Sequence, residues 1–411
     1  MEGLLPTIFD VLGRHPIHPF PARMAPAIAL NALEESTQCL RVLDPMARSG
    51  TVVAVAQKSG HTALGFDTDP LAVLMARVWT TPICPKAVVA KSKEVLRRAR
   101  KIYEDIPLRE AYPKDANDET RKFIRYWFDS LARRQLTSLA TTIDRLHDDQ
   151  IRDALWCVVS RLIITKQAGA SRAMDLSHSR PHRTFDKAPI LPFDKFIVAA
   201  KIVANNCVHT PKDQCTPVSI VRRADARSLP IEPESIDLVI TSPPYLNAID
   251  YLRCNKFSLV WMGHQISTLR AIRAGNIGTE IALPSGLKTG EVQDAAERIG
   301  NTAALGRRYK GILDRYIHDM NKALNEISCV LRPNGRAVLV IGDSMIRETF
   351  IKNSDALSFL AERLGLCLEN RTTRELPPNR RYLPPPATKN SRPNLQARMR
   401  SEVVLTFRAI S

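Results

Sequence analysis

The chain has 411 residues, 44% of them hydrophobic, enough for one large or two ordinary domains with a substantial core. Its 59 Lys and Arg against 42 Asp and Glu leave a net charge of +17, which points to a polyanionic partner. No run reaches the ~18 consecutive apolar residues of a membrane span, and the N-terminal MEGLLPTIFD lacks the basic stretch of a secretory signal.

In chain order, residues 1–80 read as alternating strands and helices. A short apolar strand ends in Leu43-Asp44-Pro45-Met46-Ala47-Arg48-Ser49-Gly50-Thr51, which leads into a helical run from Val52 to Gln57. A second strand, Ala63 to Phe66, ends in Asp67-Thr68-Asp69-Pro70. A strand, a small-residue turn, a helix and a strand ending in an acid about 20 residues on form the usual frame for a nucleoside cofactor. Ser49 and Gly50 let the backbone come close to such a ligand.

Residues 81–215 differ in character. Val95 to Ile106, Thr120 to Leu146 and Ile151 to Lys166 carry helical apolar spacing with many basic residues. A loop-rich stretch from Ala168 to Asp194 precedes another helical run, Lys195 to Asn206. These residues read as a helical insertion between the second and third strands, serving either packing or target recognition. Within it, Ser177-His178-Ser179-Arg180-Pro181-His182-Arg183 holds two His and two Arg, but no third ligand for a metal is evident. Arg180 and His182 are expected at phosphate or base, with a solvated loop as the alternative. Eight cysteines without a Cys-x-x-Cys pattern read as reduced thiols of a cytoplasmic protein, with no metal.

The third region, 216–411, resumes the strands at Val218 to Arg222 and at Ile236 to Ile240. The latter runs into Thr241-Ser242-Pro243-Pro244-Tyr245. Two prolines fix φ and donate no backbone N–H, so the chain leaves the strand in one extended shape. This presents the Ser242 hydroxyl, two carbonyls and an aromatic face, a set suited to a flat base bearing an exocyclic amine. No Gly-x-Ser-x-Gly surrounds Ser242, which argues against an acyl nucleophile. Residues 264–307 include Gly275, Gly278, Gly286, Gly290 and Gly300, show little periodicity and read as a mobile loop over the site. Arg308 to Leu331 is predicted helical, stopped by Arg332-Pro333-Asn334-Gly335, and Ala337 to Ile341 is a strand. A helix from Ser354 to Leu364, capped by Gly365, leads to strands at Leu366 to Thr372 and Glu402 to Arg408. Between them, residues 371–400 carry eight Lys and Arg, including Arg380 and Arg381, against one acid, Glu375, and read as an extended phosphate-contacting arm.

Taken together, the Asp44–Gly50 and Ser242–Tyr245 motifs resemble those of the amino-methyltransferases that use S-adenosylmethionine to methylate exocyclic amines of DNA bases. The family's cofactor motif reads approximately Asp-Pro-Phe-x-Gly-Ser-Gly and its catalytic motif Ser/Asn/Asp-Pro-Pro-Tyr/Phe. The Thr-Ser-Pro-Pro-Tyr form is most similar to the N4-cytosine branch. His18-Pro19-Phe20-Pro21-Ala22-Arg23-Met24 also resembles a short family motif beside the methionine end of the cofactor. The resemblance implies a class I (Rossmann-like) α/β fold: seven mostly parallel strands, the last antiparallel, with helices on both faces. It implies S-adenosylmethionine as cofactor, held by Asp44, Pro45, Ser49, Gly50, Thr51, Asp67, Asp225 and Thr241, with Asp69 as the fallback for Asp67. Asp44 would lie near the methionine amino group, Asp67 at the ribose and Asp225 at the adenine. Ser242, Pro243, Pro244 and Tyr245 would be catalytic, and Asp250 would lie near the target base.

Two features depart from the family pattern. Arg48 replaces the first glycine of the cofactor turn; with φ positive there it costs about 1 kcal/mol or more, and otherwise it points outward toward phosphate. The motif order is that of the alpha group, whereas N4-cytosine enzymes more often have the reverse, and the insertion precedes the third strand. The resemblance therefore implies a site-specific DNA methyltransferase acting on cytosine N4 in a flipped-out base, with a restriction partner as one context. N6-adenine in DNA, a base in RNA, and a non-catalytic nucleic-acid-binding protein of the same fold remain the alternatives.

Overall fold

The computed structural model describes residues 6–20, 24–34, 36, 38–177, 180–208, 218–246, 250–284, 287, 289–303, 305–346, 349–376 and 401–410. Nine strands fall among them: β1 (Arg41–Asp44), β2 (Thr62–Asp67), β3 (Ser219–Arg223), β4 (Ile236–Thr241), β5 (Leu331–Ile341), β6 (Ser344–Ile346), β7 (Thr349–Ile351), β8 (Leu366–Glu375) and β9 (Ser401–Ala409). Seven form one sheet in the order β3-β2-β1-β4-β5-β9-β8, while β6 and β7 make a separate hairpin. Strands β1 to β5 pair in parallel, and β9 runs antiparallel to both β5 and β8. With helices on both faces, this is the class I methyltransferase architecture.

The strands are apolar on both sides, as a doubly covered sheet requires. Alternate residues serve opposite cores: Val42, Leu238, Ile240 and Val338 face one, Leu43, Val239, Ala337 and Leu339 the other. The first core holds the helices Thr51–Lys58 and Pro70–Thr80 and the insertion. The second is closed by the helices Gly290–Arg298, Arg307–Val330 and Asn353–Arg363. The insertion supplies the helices Pro85–Asp105, Asp118–Trp127, Ser130–Asp144, Asp149–Ile163 and Pro192–Asn206 between β2 and β3. Asp149–Ile163 packs on both Pro192–Asn206 and Pro70–Thr80, so the insertion shares the sheet's core.

Several local expectations are corrected. The run predicted over Thr120 to Leu146 divides in two, because Asp129 accepts from the Leu131 and Ala132 N–H groups at 3.0 and 3.1 Å and starts a new helix. The region 264–307 is not a loop throughout: it holds helices Ile266–Gly275 and Gly290–Arg298. The helix Arg307–Val330 does stop before Arg332, but the strand expected from Ala337 already begins at Leu331, and Arg332 to Gly335 form an irregularity within β5, where the pairing steps from Ile236↔Leu331 to Leu238↔Arg336. Asn334 adopts φ 64° there, and an added Cβ on Gly335 would meet the Arg332 carbonyl at 2.8 Å. Arg371 and Arg374, placed in the basic arm by sequence, are strand residues of β8. Arg371 pairs with Asp355 at 2.6 Å and Arg374 with Glu402 at 3.2 Å. Arg380 and Arg381 lie outside the described residues.

The chain runs from β1 outward through β2 to β3, then returns to the other side of β1 for β4. The strand order therefore reverses between β1 and β4, and ligands of such sheets bind in the crevice beyond the strand ends there. Asp44 ends β1, Asp67 ends β2 and Thr241 ends β4.

Candidate active site

A cavity of about 510 Å³ opens at this reversal. Pro45, Met46 and Arg48 line it from the turn after β1, Asp67, Thr68 and Asp69 from the end of β2, and Asp225 and Arg227 from the loop after β3. Pro244 and Tyr245 enter from the turn after β4, with Asp250 and Tyr251 just beyond. Residues 270 to 281 supply the outer wall, first the end of the helix Ile266–Gly275 and then the turn after it, so the segment expected over the site does border it. A small adjoining recess is bounded by Met24, Asp44, Ser49, Thr51 and Ser242. The two motifs, about 200 residues apart in sequence, thus meet around one space.

The first turn is held by buried acids. Asp44 accepts from Thr241 Oγ1 at 2.7 Å and from the Met46 N–H at 3.1 Å, joining the ends of β1 and β4. Burial pushes its carboxyl up to about 7, against the pull of those two hydrogen bonds. Asp67 accepts from the backbone N–H groups of Arg48 and Asp69, both at 2.9 Å, and burial raises its carboxyl as well. Each of its oxygens retains acceptor capacity toward the cavity. Asp69, the fallback by register, instead caps the helix Pro70–Thr80 through the Leu71 N–H and accepts from Asn255 Nδ2 at 2.5 Å. Burial, then the neighbouring Asp67, push it up to about 7. Both acids border the space, but Asp69 is buried at 6% exposure while Asp67 is half-buried, so Asp67 is the more open to it.

Arg48 adopts φ 49°, the left-handed region expected to be costly for it. Its guanidinium does not point outward. It donates to the Pro243 carbonyl at 3.2 Å and lies 5.9 Å from the Tyr251 ring centre, bridging the two turns. Gly50, at φ 81°, begins the helix Thr51–Lys58; an added Cβ would come within 2.7 Å of Ala76 Cβ. Ser49 and Thr51 are buried beside it.

In the second turn, Thr241 and Ser242 are buried, and Tyr245 directs its hydroxyl to Glu402 Oε1 at 3.0 Å. Burial and then the Glu402 charge raise the Tyr245 phenol well above its usual value, so it stays protonated. Asp225 lines the cavity but its carboxylate is taken by Arg227 at 2.6 Å, and Arg227 also reaches Asp319 at 2.8 Å and the Gly275 carbonyl at 2.6 Å. Burial works against the Asp225 carboxylate, yet the Arg227 hydrogen bonds hold it below the usual range. Asp250 pairs with Arg273 at 2.5 Å. Arg180 and His182 are exposed in the insertion's loop and do not line the cavity.

Sequence reasoning missed Glu402 and Arg227. Phe20 sits in the short motif near the N-terminus and packs against Tyr251 with ring centres 5.0 Å apart. His18 of the same motif is buried on Ser160 Oγ at 2.9 Å. Of the two missed residues, only Arg227 had a local signal, two residues after Asp225. No group of His, Cys, Asp or Glu able to hold a metal occurs among the described residues.

No family model matches the chain. It is similar to the Type II methyltransferase M.MvaI of Kocuria varians, 22% identical over 96% of this chain and 90% of that protein. It is also similar to the Type II methyltransferase M.BsoBI of Geobacillus stearothermophilus, 22% identical over 75% of this chain and 64% of that protein. Among solved structures, a TehB-like SAM-dependent methyltransferase of Corynebacterium glutamicum covers 93% of this chain and 87% of its own, at 11% identity and a TM-score of 0.30. A class I methyltransferase sheet thus carries a chain similar, over nearly its whole length, to a type II methyltransferase.

Proposed function

We propose that this chain is an S-adenosylmethionine-dependent DNA methyltransferase that methylates the exocyclic N4 amine of a flipped-out cytosine. The observation that carries it is the convergence of the Asp44–Gly50 and Ser242–Tyr245 turns on one cavity at the strand reversal. The cavity's chemistry fits the cofactor: Asp67 offers acceptors for hydroxyls, Phe20, Met46, Ala72 and Ile277 offer apolar walls, and buried Asp44 offers a carboxyl group at the recess. Asp225 borders the same space, with Arg227 setting its position. When bound, the cofactor supplies a methyl already activated on a sulfonium, so the protein's part is to bind, orient and stabilise.

An exocyclic amine is a weak nucleophile because its lone pair is delocalised into the ring. Ser242 Oγ and the Pro243 carbonyl accept its two hydrogens and draw the nitrogen toward tetrahedral geometry. As the nitrogen gains positive charge those acceptors strengthen, which is where rate is gained. Arg48 occupies the Pro243 carbonyl in the free chain and must share or release it. Tyr245 offers its ring to a base, which has to leave the duplex to reach so recessed a turn. The net charge of +17 supports a nucleic-acid substrate, and the likeness to type II methyltransferases supports DNA.

Incubating the purified chain with tritiated cofactor and unmodified DNA, then digesting to nucleosides, tests this. Label in 4-methylcytosine is expected. Label in 6-methyladenine moves the target to adenine, transfer to RNA alone removes DNA, and no transfer to either overturns the enzyme.

A further inference from the structure

A hydrogen-bond chain leaves the catalytic turn and ends on the antiparallel edge of the sheet. Ser242 Oγ lies 3.3 Å from Tyr245 Oη, and Tyr245 Oη lies 3.0 Å from Glu402 Oε1. Arg374 Nε donates to the other carboxylate oxygen, Oε2, at 3.2 Å. Ser242 is 6% exposed, and the Arg374 and Glu402 side chains are 17% and 15% exposed, so water competes little for these groups.

The direction of each bond follows from what each group can do. A carboxylate paired with arginine only accepts, so the Tyr245 proton is committed to Glu402. Tyr245 Oη can then only accept on its other side, and Ser242 must donate its own proton to it. With that proton spent, the Ser242 oxygen has only lone pairs to offer a ligand. A serine hydroxyl without this arrangement rotates freely and serves an N–H donor or a carbonyl acceptor alike.

We propose that Glu402 is a positioning residue that fixes Ser242 as a hydrogen-bond acceptor through Tyr245, and so selects a base edge bearing an amine over one bearing a carbonyl. This rests on the methyl-transfer function proposed above. It gives the half-buried tyrosine a second task besides stacking. It also explains why a carboxylate meets the Tyr245 hydroxyl from 157 residues away in sequence. The pairing of Arg374 with Glu402 keeps the carboxylate an acceptor.

The test is single-turnover methyl transfer to unmodified phage DNA by the full chain and by Glu402→Gln, Tyr245→Phe and the double variant, with cofactor affinity measured alongside. Glutamine keeps the shape but both donates and accepts, so the direction is no longer imposed. Glu402→Gln is expected to slow transfer about 10- to 100-fold, the cost of one misdirected buried hydrogen bond, with cofactor Kd within about twofold. In the Tyr245→Phe background it is expected to cost nothing further, because the relay is already cut. An equal loss in both backgrounds, or none in either, overturns the relay and leaves the methyltransferase standing. No transfer by the unsubstituted chain overturns the functional proposal and the relay with it. Should Glu402→Gln melt below the assay temperature, Tyr245→Phe decides alone, since a tyrosine that only stacks predicts no loss.

Discussion

The turns after β1 and β4 leave neighbouring parallel strands at the same edge of the sheet, yet they are stabilised in opposite ways. The first is built on backbone freedom, with Arg48 at φ 49° and Gly50 at φ 81°, and is pinned by buried carboxylates that accept its N–H groups. The second is built on backbone restriction: two prolines remove the N–H groups, and the turn is anchored through side chains, Thr241 to Asp44 and Tyr245 to Glu402. A turn that must approach a ligand with its backbone needs small residues and nearby acceptors. A turn that must present a hydroxyl and a carbonyl in fixed directions needs stiffness and a distant anchor.

Substitutions in the first turn test the contrast most severely. Gly50→Ala adds a Cβ 2.7 Å from Ala76 Cβ at a positive φ. Left-handed strain of roughly 1–2 kcal/mol and crowding of roughly 1–3 kcal/mol together predict a loss of about 2–5 kcal/mol in denaturant unfolding. A change below about 1 kcal/mol would show that the helix Thr51–Lys58 is not held against Pro70–Thr80 as described.

Asp44 links the turns and gives a pH signature. Unfolded, its carboxyl titrates near its ordinary value of about 4; folded, burial raises it to about 7. Between these values the native state keeps a proton that the unfolded state has released, so stability falls as pH rises through that window and levels off above it. At about 1.4 kcal/mol per unit of difference, the fall amounts to a few kcal/mol. Asp44→Asn retains acceptors for Thr241 and Met46 but cannot ionise. It is expected to flatten this part of the pH–stability profile while weakening cofactor binding, as read by melting curves and calorimetric titration. An unchanged profile would place the titrating group elsewhere.

Reversing the charge of Arg380, Arg381 and Lys389 tests the basic segment that joins β8 to β9 in sequence. Each lost phosphate contact is expected to reduce the salt slope of DNA binding by roughly 0.9, measured by titration at several salt concentrations; an unchanged slope removes the arm from the interface. Arg48→Gly is the mildest change. Relief of the strained φ, about 1 kcal/mol, opposes loss of the hydrogen bond to Pro243 and the greater freedom of the unfolded glycine. Stability should stay within about 1 kcal/mol, and methyl transfer within about tenfold. A larger loss of transfer would make Arg48 part of the machinery rather than a tie between turns.

What could be read from sequence follows from how local each signal is. The parallel strands were legible because apolar runs covered on both faces end in turn residues, and the two motifs were legible because their spacing is short and fixed. The division at Asp129 was present as a helix-cap residue inside an apolar period that masked it. Helices Ile266–Gly275 and Gly290–Arg298 were hidden by glycines: Gly275 ends the first and Gly290 begins the second, and both are short. Asp67 and Asp69 could not be told apart until the structure showed which one caps a helix. Glu402 gave no signal at all: it sits at the start of an apolar strand, and its partner lies 157 residues earlier. Long-range side-chain anchors leave no local trace.

The most direct measurement is single-turnover transfer from tritiated cofactor to unmodified DNA by the parent chain and by Ser242→Ala, with cofactor affinity determined for both. If the turn after β4 supplies the acceptor for the target amine, the variant binds cofactor with unchanged affinity and transfers methyl roughly 100- to 1,000-fold more slowly, the scale seen when one preorganised transition-state hydrogen bond is removed. Transfer by Ser242→Ala at the parent rate would contradict the account, because the two turns would then meet around a cavity without sharing its chemistry.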